Sequence, residues 1–154
     1  MWISLLYLSF IIKALHLPSQ MPLLSLSLSD SITWCSGQDD TFIPESVNLS
    51  PDPPARGESL TVELVGSLKK RVDHGSTARV KVKLGFIQLI DMEYDLCEET
   101  AKVGNECPFE KGPLVITTKL DLPPQVPPGH YKIHVEAFDQ DQTPITCLNA
   151  DFRM

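Results

Sequence analysis

The side chains with which this sequence could do chemistry are four cysteines, four histidines and twenty carboxylates. Cys97 and Cys107 lie in "DLCEETAKVGNECPFEKG" (Asp95 to Gly112), bracketing nine mostly polar residues with a Gly-Asn turn signal among them. Zinc knuckles and thioredoxin-like redox pairs use closely spaced cysteines such as C-x-x-C, so this spacing suits neither. It suits a disulfide that closes a hairpin. Four cysteines allow three pairings. If Cys97 joins Cys107, Cys35 is left for Cys147, which ties the first strand to the last across about a hundred residues. The chain-entropy model assigns about 3 kcal/mol to the short ring and about 5 kcal/mol to the long one.

The other chemical candidates are weaker. In "HYKIH", His130 and His134 would stand about 13 Å apart on a strand, too far to share one zinc. They read as surface histidines. "DQDQTPITCLNA", from Asp139, starts like a calcium loop but lacks the Gly at position six and the Glu at position twelve. Asp139 to Gln142 reads instead as a hairpin turn. No nucleophile elbow, phosphate-binding glycine loop or H-E-x-x-H occurs. The carboxylates of "DMEYD" and "DLCEET" are of the kind that solvate a loop. The sequence therefore points to no catalytic residue, metal or cofactor, and to a protein that is not an enzyme.

The elements that position these residues are short strands. Thirteen prolines and eight glycines punctuate runs of period-two alternation. "SLTVELVG" sets Leu60, Val62 and Leu64 on one face. "ARVKVKLGFIQLIDMEYDLC" begins with Val80, Val82, Leu84 and Phe86 opposite Lys81 and Lys83, then shifts phase around Gly85 to Gln88, where a bulge is expected. "GPLVITTKLDL" alternates Leu114, Ile116, Thr118 and Leu120. "GHYKIHVEAF" alternates Tyr131, Ile133, Val135 and Ala137 against Lys132, His134 and Glu136. With "SITWCS", "ESVNLS" and "ITCLNADF" this makes about seven antiparallel strands and little helix, the count of an all-β immunoglobulin-like sandwich. The proline-rich connector "DLPPQVPPGHY" leads into a strand at Tyr131, whose hydroxyl is placed to bond back across the corner.

Residues 1–30 read as a leader. Trp2 to Ile12 is an apolar run of signal-peptide length, too short to span a bilayer, and Ser27 and Ser29 stand in the −3/−1 relation of a cleavage site. Secretory entry agrees with an even cysteine count and with the sequon Asn48-Leu49-Ser50. The expected destination is the secretory pathway, ending in a vacuolar or lysosomal lumen or outside the cell. A net charge of −7 argues against nucleic acid as a partner. Against that balance, Lys69, Lys70, Arg71, Arg79, Lys81 and Lys83 are half of the cations after residue 30, packed into fifteen positions. They form either a solvated, edge-protecting hairpin face or a docking patch for anionic membranes, where each cation adds about 1 kcal/mol.

Residues 32–154 resemble the MD-2-related lipid-recognition (ML) family, in particular the fungal phosphatidylglycerol/phosphatidylinositol transfer protein branch, related to the Niemann-Pick C2 sterol carriers. "WCSGQDD", "VNLSPDPPARGESL", "DLCEET" with "CPFEKG", "LDLPPQVPPGHYKI" and "ITCLNADF" carry the resemblance, in the family's order. It implies a two-sheet domain over 31–154 with an apolar pocket between the sheets, and the disulfides Cys35–Cys147 and Cys97–Cys107. It also implies a monomeric, non-enzymatic carrier that holds one phospholipid or sterol and touches membranes transiently. The alternative is a sterol-binding or lipid-presenting module that acts with a protein partner.

The inward-alternating positions Val62, Leu64, Val82, Leu84, Phe86, Leu89, Ile116, Tyr131, Ile133 and Val135 are the expected pocket lining. Tyr94, Pro108 and Phe109, flanking the stapled hairpin, are expected at the mouth. The same alternation would serve a fully packed sandwich.

Overall fold

The computed structural model describes residues 31–154. The leader and its cleavage site at Ser27 and Ser29 lie outside the described residues. Eight strands run β1 (Ile32–Trp34), β2 (Phe42–Ser50), β3 (Ser59–Leu68), β4 (Thr77–Leu84), β5 (Ile87–Asp95), β6 (Gly112–Asp121), β7 (His130–Phe138) and β8 (Pro144–Arg153). One helix, α1 (Leu96–Ala101), follows β5. The strands form two antiparallel sheets, of order β1-β8-β7-β4-β5 and β2-β3-β6. This is the expected sandwich with one more strand than expected.

The extra strand comes from the run Ala78 to Cys97. Read as one strand with a bulge, it folds as the β4–β5 hairpin, with Gly85 and Phe86 as a two-residue turn between the paired Leu84 and Ile87. Gly85 takes φ 56°, which glycine adopts freely and which suits the twist of a two-residue hairpin. A bulge does exist, displaced from the turn: Val82 pairs with Ile90 and Lys83 with Gln88, so Leu89 has no partner. The proline of β2 sits similarly, at a register shift on an edge strand, where a missing N–H leaves no gap in the ladder.

The segment between Cys97 and Cys107 is not a β-hairpin. Asp95 caps α1, its Oδ1 accepting the Glu98 N–H at 2.9 Å, and the Asp95-x-x-Glu98 spacing is that of a capping box. Cys97 is buried in the first turn of this helix, and its disulfide to Cys107 ties the helix to the returning chain. Immediately after, Phe109 and Val72 exchange two backbone hydrogen bonds of 2.9 Å. The second disulfide joins Cys35 to Cys147 beside the β1–β8 ladder.

The packed core gathers at this α1 end: Phe42, Leu68, Val72, Phe109, Ala137 and Ile145 are buried against one another, with Trp34, Leu96 and Leu114 packed around them. Gly66 makes the cluster possible. Its missing side chain leaves room for the Phe42 ring, which a Cβ there would meet at 2.3 Å. At the far end the tyrosine corner forms as expected: the Tyr131 hydroxyl donates to the Pro127 carbonyl at 2.7 Å and the ring stacks on Phe152. The β7–β8 turn is organised by buried Asp139, whose carboxylate accepts the Asp141 and Thr143 N–H groups and the Lys70 ammonium at 2.8 Å.

Two measurements check this account. Gly66→Ala should lower unfolding stability by about 1–3 kcal/mol in denaturant titrations, the range for overpacking a filled site; unchanged stability would contradict the Phe42 contact. Burial works to raise the Asp139 pKa, but the hydrogen bonds from Lys70, Thr143 and Asp141 prevail and hold it below the ordinary value. A depressed folded-state pKa stabilises the fold above the unfolded carboxylate value near 3.9 and is lost as pH falls through the folded one. Asp139→Asn should therefore cost about 1–3 kcal/mol near neutrality. The gap from the parent protein in thermal melts should narrow below about pH 4.

Candidate functional site

The inner face of the five-stranded sheet is built from cross-strand rows. Ala137, Ala78 and Tyr94 form one, Val135, Val80 and Met92 the next, then Ile133, Val82 and Ile90, and last Tyr131, Leu84 and Ile87. On β8, Leu148 and Ala150 extend the middle two rows. Across from them the smaller sheet pairs Leu64 with Ile116, Val62 with Thr118 and Leu60 with Leu120. Period-two alternation puts these residues on one side and Lys81, Lys83, Lys132 and His134 on the other.

Facing sheets in a sandwich pack about 10 Å apart and bury both inner faces. Here burial fades across the sheet. Ile32 and Val47, on the β1 and β2 edges, are buried, whereas Val62, Val80, Val82, Ile133, Val135 and Leu148 are only half-buried. At the opposite edge Ile90, Met92 and Ile87 are 37%, 55% and 64% exposed, and Leu120 on β6 is exposed as well. The sheets meet along β2 and at the α1 end and part along β5 and β6, leaving an apolar cleft open on that side.

At the α1 end the cleft runs into a partly open apolar cavity of about 80 Å³ among Phe42, Leu64, Phe109, Leu114 and Ile116. That is well short of the roughly 300–1,000 Å³ of a small-molecule pocket. Cavity and cleft share Leu64 and Ile116, so together they make one continuous apolar trough.

Sequence-predicted lining residues divide accordingly. Val62, Leu64, Val82, Leu84, Ile116, Ile133 and Val135 face the cleft, and Tyr131 is buried at its far end. Phe86 does not line it: it occupies the β4–β5 turn and is fully exposed. Leu89, the bulged residue, is exposed beside it. Of the expected mouth residues, Tyr94 is half-buried on β5, Pro108 is exposed next to the disulfide, and Phe109 is buried in the core at the closed end. Ile87, Ile90 and Met92 occupy the open edge instead. The displaced bulge hid them, because it reverses the in–out phase of β5 relative to β4.

Among the described residues the inner faces carry no charged side chain, and the shifted titrations belong to other surfaces. Arg79 is raised by its two-pronged hydrogen bond to Asp91, which is lowered by the same contact. Arg71 is raised by Asp73, and Lys102 by Glu99. The expected cationic patch is split. Lys69 donates to the Gln38 carbonyl, Lys70 to Asp139, and Arg71 to Asp73 and Glu110, all near the α1 end. Lys81 and Lys83 stand apart from these, on the outer face with Lys132, in a shallow groove of about 540 Å³ that also includes His134, Asn149 and Asp151. His134 approaches Cys35 and Cys147, but their sulfurs are bonded to each other and offer no thiolate to a metal. Asn48 is exposed on the outer face of β2, its amide donating to Glu63.

A family model described as the ML domain matches residues 29–154. The chain belongs to the ML-domain family. Among relatives, a phosphatidylglycerol/phosphatidylinositol transfer protein of Aspergillus fumigatus is 38% identical over 134 residues, covering 86% of this chain and 77% of that protein. The ML fold is also seen in a Niemann-Pick type C2 protein from the Japanese carpenter ant, at TM-score 0.61 and 14% identity, over 79% of this chain and 97% of that one. Chicken MD-1, solved with lipid IVa, matches at TM-score 0.53 and 16% identity over 79% and 87% of the two chains.

An ML domain with an open apolar trough should bind an environment-sensitive apolar dye in its native, lipid-stripped state. Val82→Glu should weaken that binding at least about tenfold, since a charge on an apolar wall must be desolvated by the ligand. Native-state dye binding that Val82→Glu leaves unchanged would mean the dye reports some other surface.

Proposed function

We propose that this ML domain is a non-enzymatic carrier that takes one phospholipid or sterol into the trough between its sheets and moves it between membranes. The observation behind this reading is the incomplete burial of two apolar inner faces that converge on a small apolar cavity. A packed structural sandwich would bury those rows. The names of the relatives point to phosphatidylglycerol and phosphatidylinositol as cargo.

The physical task is removing an acyl chain from water. Desorbing a sixteen-carbon chain from a bilayer costs on the order of 12 kcal/mol at about 0.8 kcal/mol per methylene, so unaided exchange is slow. A trough lined by Val62, Val82, Ile133 and Val135 replaces the bilayer with protein methyl groups along the chain, and the cavity beside Phe109 receives its end. No bond is made or broken. The headgroup stays at the open β5–β6 edge, in water. The trough deepens as the sheets part, while the α1-end core and both disulfides keep the domain folded. We assign residues 1–30 as a leader removed on secretion, and the mature domain as a monomer of the vacuolar or extracellular space.

Native mass spectrometry of the secreted protein, with organic extraction of what accompanies it, tests this. A phospholipid or sterol adduct on a chain four hydrogens lighter than its reduced form is the expected result. Ile133→Asp should abolish the adduct and vesicle-to-vesicle transfer while both disulfides form. If the parent protein carries no lipid and takes none from added vesicles, the carrier reading is wrong.

A further inference from the structure

The outer face of the five-stranded sheet, turned away from the trough, has cross-strand rows of its own. Lys81, His134, Asn149 and Thr33 are successive partners across β4, β7, β8 and β1. In the next row Lys83 stands directly opposite Lys132, and Lys132 opposite Asp151. Like charges facing each other across a ladder destabilise it, so this row calls for a compensating anion. The protein does not supply one. Among the described residues none of Lys81, Lys83 and Lys132 has a carboxylate at salt-bridge distance. The carboxylates nearest by register belong to other partners: Asp91 to Arg79, Asp151 to His130, and Glu136 lies beside His134. In a chain of net charge −7 this is a local reversal of charge. It coincides with the shallow groove of about 540 Å³, which these same rows line. That volume falls within the roughly 300–1,000 Å³ of small-molecule sites.

We propose that this groove binds a phosphate ester of a small polyol, a ligand that carries both phosphate groups and hydroxyls. Lys81 and Lys83 stand about 7 Å apart along β4, and Lys83 and Lys132 about 5 Å apart across the ladder. Three ammonium groups on flexible stems at those spacings converge on one or two phosphates, which lysine recognises as a point charge. The other end of the groove is neutral. His134 Nδ1 donates to Asn149 Oδ1 at 2.7 Å, which leaves the Asn149 amide hydrogens and the Thr33 hydroxyl for the ligand's hydroxyls. That neutral end favours an ester over bare phosphate. The bordering outer-face residues Asp91, Glu93 and Glu136 would repel an extended acidic partner, so the ligand is no larger than the groove. Because the groove is shallow, charge does most of the holding, and binding weakens as salt is added. Groove and trough occupy opposite faces of the same strands, so the inference stands independently of the carrier reading.

The test titrates inositol trisphosphate into the parent protein at low salt and follows binding by calorimetry. The Lys83→Gln/Lys132→Gln pair should weaken binding about tenfold or more. Asn149→Ala should weaken it about three- to tenfold, the loss of one or two hydrogen bonds. Arg71→Gln, at the α1 end, should bind as the parent does, and inositol without phosphate should not bind. The double lysine variant should melt at or above the parent's temperature, since a like-charge pairing is removed. Its loss of binding is then not a loss of fold. Co-sedimentation with phosphatidylcholine vesicles carrying phosphatidylinositol bisphosphate distinguishes the sources of the ester. Vesicle binding that depends on Lys83 and Lys132 adds the lipid headgroup as a source, and its absence leaves the soluble ester; either supports the site.

Three results would overturn it. One is a parent protein that does not bind inositol trisphosphate at low salt. Another is equal weakening by Arg71→Gln and by the double lysine variant, which would reduce the effect to diffuse charge. The third is displacement of the trisphosphate by polyglutamate at a lower concentration of charge, which would make the groove a face for an acidic protein. Uptake of a fluorescent phospholipid, read on the same samples, should be unchanged in every variant, and its failure in the parent would count against the carrier reading alone.

Discussion

The two sheets are held together at one end and along one edge, and the remaining features of the molecule depend on that restriction. The Phe42 ring lies over Gly66, Val72 and Phe109 exchange backbone hydrogen bonds, and α1 is stapled to the returning chain by Cys97–Cys107. These contacts concentrate packing where it fixes the angle between the sheets. Had the same apolar area been spread evenly, the facing rows of β4, β7 and β3 would close on one another, as dispersion and the hydrophobic effect favour. Because Val80, Val82, Ile133 and Val135 are left half-covered, the fold keeps apolar surface in reserve for a guest.

Charge is sorted to match. The titratable groups with shifted values lie in ion pairs on outer surfaces or in turns, so the inner faces stay free of groups whose burial would have to be compensated. Asp139 shows what such compensation needs when a carboxylate is buried: two backbone donors and an ammonium. The trough has nothing comparable, which suits a ligand whose buried part is hydrocarbon and whose polar part remains in water.

Much of this was legible in the sequence, for reasons particular to each element. β7 could be read residue by residue, since Tyr131, Ile133, Val135 and Ala137 alternate without interruption and a proline-rich connector announces its start. The tyrosine corner and the Asp139 turn followed from local chemistry. β4 and β5 were harder. Gly85 fits a bulge as well as a turn, and a hairpin with its bulge at Leu89 keeps the same composition while inverting the phase of β5. The turn carried Phe86 out of the trough, and the inversion left Leu89 outside it and brought Ile90 and Met92 to its edge. The helix was missed because six residues are too few for a 3.6-residue period, although Asp95-x-x-Glu98 is a usable start signal. Openness itself has no sequence signature. Whether an alternating face is covered depends on the distance to the other sheet, set by residues elsewhere, such as Gly66.

The Cys35–Cys147 bond spans 112 positions, from just beyond β1 into β8, and at the other end of β1 the Asp151 N–H donates to the Ser31 carbonyl. Almost the whole domain is therefore one covalent ring, with a smaller ring inside it. A peptidase that cuts the exposed turn at Phe86 or the connector at Pro123 to Pro128 severs the backbone but releases no fragment. Both pieces remain attached through sulfur and registered by the β1–β8 and β4–β7 ladders. In a compartment rich in hydrolases, a single nick would then leave the molecule in one piece, and loss of the domain would require reduction or a second cut.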